Sequence, residues 1–201
     1  MKRLLIIAAL CAFCIGAVAQ EKRYEVKSGI VTMEMSMMGQ NVVHKMYFDD
    51  YGAKQASISE FGGQKMRNIE VDGKNIMIDD AAKTATKMPA MGVDANKINF
   101  LNLTDQVIKK NKIKEIGKEE ISGKECTRYT YKVLMMGQAV TVNVWVYKGI
   151  PLKTSTKTDF GEIGMSATAI EEDVQIDPAM FTIPEGIEIQ EMNMGMMGGG
   201  F

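Results

Sequence analysis

The strongest constraint on this chain is a stretch that it carries twice. Ser36-Met37-Met38-Gly39-Gln40 is echoed by Leu134-Met135-Met136-Gly137-Gln138, 98 residues later. Glu60-Phe61-Gly62 is likewise echoed by Asp159-Phe160-Gly161. Each Gly-Gln pair sits between runs that alternate apolar and polar residues, the period of a half-buried strand. Glycine first in a two-residue loop suits a type II′ turn, so Gly39-Gln40 and Gly137-Gln138 are the predicted turns. The predicted register sets Met37 against Val42, Met35 against His44, Met33 against Met46 and Val31 against Phe48. In the second hairpin it sets Met135 against Val140, Val133 against Val142, Tyr131 against Val144 and Tyr129 against Val146. One face is thereby apolar. The other pairs Glu34 with Lys45, Lys132 with Asn143, Thr130 with Trp145 and Arg128 with Tyr147. A one-residue slip would mix the faces. The expectation is two copies of one antiparallel meander, over 24–72 and 124–173.

Two further pieces lie between the copies. Residues 75–79 and 83–87 read as a short hairpin around Asp79-Asp80-Ala81-Ala82. Phe100, Leu103, Val107 and Ile108 then recur at helical spacing, with Thr104 and Asp105 as cap candidates and Lys109-Lys110-Asn111 as the C-terminal turn. Ile187 and Ile189 alternate with Glu188 and Gln190, which predicts a last strand. The Met- and Gly-rich residues 192–201 are expected to form a flexible tail.

The first residues are expected to be removed. Lys2 and Arg3 precede an apolar run over 4–15, and Ala17-Val18-Ala19 is a small-x-small cleavage site, the pattern of a secretory signal peptide over 1–19. That run is too short to span a bilayer. The remaining chain, 20–191, suffices for one domain with its own core. Loss of the leader takes Lys+Arg from 24 to 22 against 25 acidic residues, for a charge of -3. Such a balance does not suggest a nucleic-acid partner. It also leaves Cys126 as the single cysteine, so no internal disulfide is expected in an oxidising compartment.

A run near the C-terminus carries a family likeness. Trp145-Val146-Tyr147-Lys148-Gly149-Ile150-Pro151-Leu152-Lys153 reads as strand, turn and strand. Ile176-Asp177-Pro178-Ala179-Met180-Phe181-Thr182-Ile183-Pro184-Glu185-Gly186 follows. This order resembles the periplasmic lipoprotein-carrier and outer-membrane lipoprotein-sorting (LolA/LolB-like) superfamily and uncharacterised secreted families attached to it. The resemblance implies an open, strongly curved antiparallel sheet, or incomplete barrel, with a short helical lid over its concave face. It implies acyl chains held between sheet and helices, and a place in the periplasm or at the outer membrane. The fold expected is thus mainly β (α+β), with a lid over about 94–111.

No catalytic set emerges. Catalysis through serine or Cys126 would need the one histidine, His44, and no nucleophile-elbow sequence is present. Asp49-Asp50 and Asp79-Asp80 are neighbours that a strand would point to opposite faces. Neither Gly62-Gly63 nor 198–200 leads into a phosphate-binding helix. The protein is therefore read as non-catalytic, without a cofactor. A lipid or acyl-chain ligand would be lined by Val31, Met33, Met35, Phe48, Phe100, Leu103, Val107, Tyr129, Tyr131, Val142 and Val144. Methionine suits such a wall because it is unbranched and adaptable. The competing reading is a Cu(I) or Ag(I) binder, with the soft ligands Met33, Met35 and Met46 beside His44 on one hairpin face. Met192, Met194, Met196 and Met197 form a second soft set. A third reading is a structural envelope component that binds a protein through its sheet edge.

Overall fold

The computed structural model describes residues 21–37, 40–71, 74–88, 98–135, 138–158 and 161–191. The predicted leader and Met-Gly tail lie outside them. Twelve strands form one mixed, unclosed sheet. The first meander is β1 (Gly29–Met37), β2 (Gln40–Asp49), β3 (Lys54–Phe61) and β4 (Gln64–Val71). A hairpin of β5 (Lys74–Asp79) and β6 (Thr84–Met88) follows. After the helix α1 (Asp105–Asn111) comes β7 (Lys114–Ile121). The second meander is β8 (Lys124–Met135), β9 (Gln138–Tyr147), β10 (Ile150–Thr158) and β11 (Gly161–Glu172). A 3₁₀ turn at Pro178–Phe181 leads to β12 (Ile189–Glu191).

The spatial order is β12-β6-β5-β4-β3-β2-β1-β11-β10-β9-β8-β7. Neighbours in sequence pair as antiparallel hairpins throughout both meanders. Two pairings join distant chain: β1 with β11, antiparallel, and β12 with β6, parallel. The first strand of copy one thus abuts the last strand of copy two, and the meanders continue one another across the sheet.

The predicted register of the repeat hairpins is corrected by two residues. Met37 faces Gln40, Met35 faces Val42, Met33 faces His44, Val31 faces Met46 and Gly29 faces Phe48. In the second hairpin Met135 faces Gln138, Val133 faces Val140, Tyr131 faces Val142, Tyr129 faces Val144 and Thr127 faces Val146. Polar pairs shift too: Glu34 faces Val43, Thr130 faces Asn143 and Arg128 faces Trp145. The loops are therefore 38–39 and 136–137, with glycine second; their own structure lies outside the described residues. The other two-residue loops explain the choice. Gly62-Gly63, Ser122-Gly123 and Lys148-Gly149 all have positive φ at both positions, the type I′ signature with glycine second. The two-residue change in partner keeps the side-chain parity, so both faces stay as expected.

Among the described residues, buried side chains form three clusters. The first holds Val31, Met33, Phe48, Cys126, Trp145, Ile150 and Leu152 with Tyr24 and Val26 of the incoming chain. Trp145, expected on the polar face, is 4% exposed; its indole Nε1 donates to Glu119 Oε2 at 2.6 Å and Arg128 stacks on its ring. The second holds Tyr131, Val133, Val142, Val144 and Val146, with Ile98 and Ile113. The third holds Ala56, Ile69, Ile76, Ile78 and Ala85, covered by Met180, Phe181, Ile183 and Ile187. Arg67 fastens that cover. Its Nη1 donates to the carbonyls of Ala179, Met180 and Thr182 at 2.9–3.0 Å, and its Nε and Nη2 grip Asp80.

Candidate functional site

One cavity of about 470 Å³ is lined from both meanders and from the segment before α1. The second meander supplies Tyr131 and Val133 of β8, Val142 and Val144 of β9, Thr154 and Thr156 of β10, and Met165 of β11. Strand pairing brings these together: Tyr131 faces Val142, Val142 faces Thr156, Val144 faces Thr154 and Thr154 faces Met165. The first meander supplies Met33, His44, Met46, Gln55, Ser57 and Asn68. Ile98 and Phe100 line it from the connecting chain.

Local sequence accounts for the helical piece. Thr104 accepts a hydrogen bond from the Val107 amide at 3.3 Å, which caps α1. Lys112 takes the left-handed conformation and ends it. The helix has seven residues, shorter than the predicted 94–111; residues 89–97 lie outside the described residues. Phe100 meets Tyr129 and Tyr131 with ring centroids 5.3 and 6.3 Å away. Leu103 and Val107 pack on the same cluster.

The expected ligand wall divides. Met33, Phe100, Tyr131, Val142 and Val144 line the cavity. Val31 and Phe48 are fully buried in the first cluster, where Phe48 meets Tyr24 edge-on at 4.9 Å. Leu103, Val107 and Tyr129 support the second cluster from beside the cavity, and Met35 is half-buried on β1. Sequence reasoning missed Ile98, Val133, Met165 and the polar group on β3 and β4. Val133 was legible from its parity. Met165 and Asn68 were not, because only the β1–β11 pairing and the sheet's course bring them to one space.

Of the expected soft ligands, Met33, His44 and Met46 all line the cavity. Met33 lies directly across from His44. His44 Nδ1 is 2.9 Å from Ser59 Oγ, and burial lowers the ring's pKa, so the imidazole is neutral at physiological pH. Among the described residues, no group of three or more His, Cys, Asp or Glu is placed to hold a metal ion. Burial pushes both Tyr24 and Tyr131 up to about 12, so their phenols stay protonated. The charged residues lining the cavity are Arg23 and Glu70, of opposite sign. Cys126 is fully buried and its thiol is pushed up by desolvation, the opposite of an activated nucleophile.

No family model matches the sequence, and no curated protein matches it. Solved structures are similar to this chain. An uncharacterised conserved protein from Thermus thermophilus superposes with a TM-score of 0.56 at 7% identity, covering 85% of this chain and 95% of that one. A chain of the Pseudomonas aeruginosa MucA/MucB complex is similar at a TM-score of 0.48 and 13% identity, over 77% of this chain. This chain spans 55% of that one's length. An outer-membrane lipoprotein-sorting protein domain from Vibrio parahaemolyticus is similar at a TM-score of 0.40 and 13% identity, covering 79% and 91% of the two chains. The first of these likenesses concerns the fold alone. Among the described residues, no helix is long and apolar enough to cross a membrane.

Proposed function

We propose that this protein is a non-catalytic binding or carrier protein of the cell envelope. It holds a lipid-like ligand, or the acyl chain of a lipidated protein, in the cavity between its two meanders. The observation that carries this reading is a cavity of about 470 Å³ whose apolar wall is Tyr131, Val133, Val142 and Val144 with Ile98 and Phe100 packed beside them. That volume falls in the range of small-molecule sites. Each methylene taken from water contributes about 0.8 kcal/mol, so ten contribute roughly 8 kcal/mol before the costs of association. No shaped polar motif is needed for such binding, which accounts for a binding protein without a sequence signature. The segment over 98–111 acts as the lid, its side chains packing on the same wall. The predicted leader directs the chain to the periplasm. Native mass spectrometry of protein purified from its own compartment tests the reading. A co-purified lipid is expected, and its absence, together with failure to bind any acyl probe, removes it.

A second reading rests on one observation. Met33 faces His44, Met46 lies two residues along the same strand face, and all three line the cavity. Ser59 holds His44 Nδ1, which leaves Nε2 as the ligand atom. A soft cation such as Cu(I) or Ag(I) would bind there. Ag(I) titration of wild type against Met33→Leu plus His44→Leu checks it: unchanged affinity eliminates this site.

A further inference from the structure

The cavity is not uniform in chemistry. On β8 and β9 it presents only the aliphatic and aromatic side chains of Tyr131, Val133, Val142 and Val144. On β3, β4 and β5 it presents the polar Gln55, Ser57, Asn68, Glu70 and Asn75, with Ala56 and Ile69 also reaching its wall. The register explains that second zone. Ser57 faces Asn68 directly, and Asn75 faces Glu70, one step further along β4 on the same side of the sheet. The opposite side of these strands carries Ala56, Ile69, Ile76 and Ile78 under the C-terminal segment. Strand alternation therefore packs the apolar side chains of this half in the third cluster, Ala56 and Ile69 touching both, and turns its amides and hydroxyl toward the cavity.

These side chains are available. Gln55 donates to the Gly52 carbonyl at 2.9 Å, but no protein hydrogen bond engages the side chains of Ser57, Asn68 or Asn75 among the described residues. Together they offer amide donors, amide acceptors and a hydroxyl, all uncharged. Arg23 and Glu70 at the same cavity have opposite charges, and His44 is neutral. A phosphate or sulfate head would meet one cation and one carboxylate, with no cluster of positive charge to hold it. A head rich in hydroxyls would meet partners for both its donors and its acceptors.

We propose that the cavity takes an uncharged, hydroxyl-rich amphiphile of the glycolipid class, its sugar head against Ser57, Asn68 and Asn75 and its acyl tail against β8 and β9. This inference rests on the carrier reading and narrows its ligand.

Calorimetric titration of the mature protein with three probes of equal chain length tests it: dodecyl maltoside, dodecyl phosphate and dodecanol, each below its aggregation threshold. The maltoside is expected to bind at least about tenfold more tightly than dodecanol, and the phosphate no more tightly than dodecanol. Asn68→Leu should remove most of the maltoside preference over dodecanol, with a far-UV circular dichroism spectrum and melting transition like wild type as the control that the variant is folded. If Asn68→Leu fails that control, Asn75→Leu, at an exposed position, serves instead. Equal binding of maltoside and dodecanol, tighter binding of the phosphate, or a preference that survives the folded variant would overturn the head assignment and leave the carrier reading standing. Failure of all three probes to bind overturns both.

Discussion

Arg67→Met should detach the C-terminal segment while sparing the rest of the sheet. Arg67 is 7% exposed and lies on β4 facing Ile78, within the face that the C-terminal segment covers. Methionine keeps the length and the apolar stem but removes the guanidinium. Three bonds to the carbonyls of Ala179, Met180 and Thr182 disappear. Hydrogen bonds to a charged group contribute about 1.5–3 kcal/mol each, so a simple sum is roughly 4–9 kcal/mol. The segment is partly exposed, so water recovers some of those carbonyls, and the bonds share one donor. The expected loss is about 2–4 kcal/mol. At a slope of about 2 kcal/mol per molar urea, the midpoint should fall by about 1–2 M. The Asp80 half of the clasp counts for less, because the Asp80 side chain is 54% exposed; Asp80→Asn should cost under about 1 kcal/mol. Amide exchange is the sharper assay. Exchange should accelerate at Met180 and Thr182, whose amides bond to Asp177 and Ala179, and along β12, well before β8 or β9. A midpoint shift as small as that of Asp80→Asn, with unchanged exchange at the C-terminus, would refute the clasp.

Other perturbations follow from the same coordinates. Glu172 accepts from Lys124 at 2.7 Å and Lys148 at 2.8 Å, and these lower its carboxyl to about 2, below its ordinary 4.5. Its contribution is therefore complete above pH 4.5 and is lost as pH falls from 4.5 through about 2. Thermal melts should show Glu172→Gln less stable than wild type at neutral pH, the gap closing across that window; a constant gap would contradict the pairing. Gly149→Ala should destabilise strongly, since a Cβ there collides with the Arg23 carbonyl and lies 2.8 Å from Leu101 Cγ at a φ of 84°. Urea midpoints measure this, and a neutral effect would show that the incoming chain is not packed on that turn. Cys126 should resist a thiol reagent in native buffer and react fully in denaturant; fast native labelling would mean that the first cluster opens.

The hairpins were legible because their information is local. Alternation from Val31 to Met37 and from Tyr129 to Met135 sets which side chains share a face, and that parity survived a two-residue error in partner choice. The error arose at one ambiguous signal, a single glycine in Met-Gly-Gln, which a type I′ or a type II′ loop could use. The hairpin turn expected at Asp79-Asp80-Ala81-Ala82, one residue short of the observed start of β6 at Thr84, and the Thr104 cap were legible for the same local reason. β7 was not. Its residues, Lys114 to Ile121, are mostly charged and exposed, so it shows no apolar alternation and exists because β8 offers it an edge.

By itself, the sequence determined the strand-rich class, the two meanders and the greasy face of each repeat hairpin, since turn chemistry and side-chain alternation act over a few residues. Only the tertiary structure decided that β1 would pair with β11, that the C-terminal segment would cover β3 to β6, and that one cavity would join amides of the first meander to valines of the second. Those pairings bring together backbone groups far apart in sequence, where no local preference selects the partner. They are chosen by the burial and hydrogen bonding of the assembled sheet.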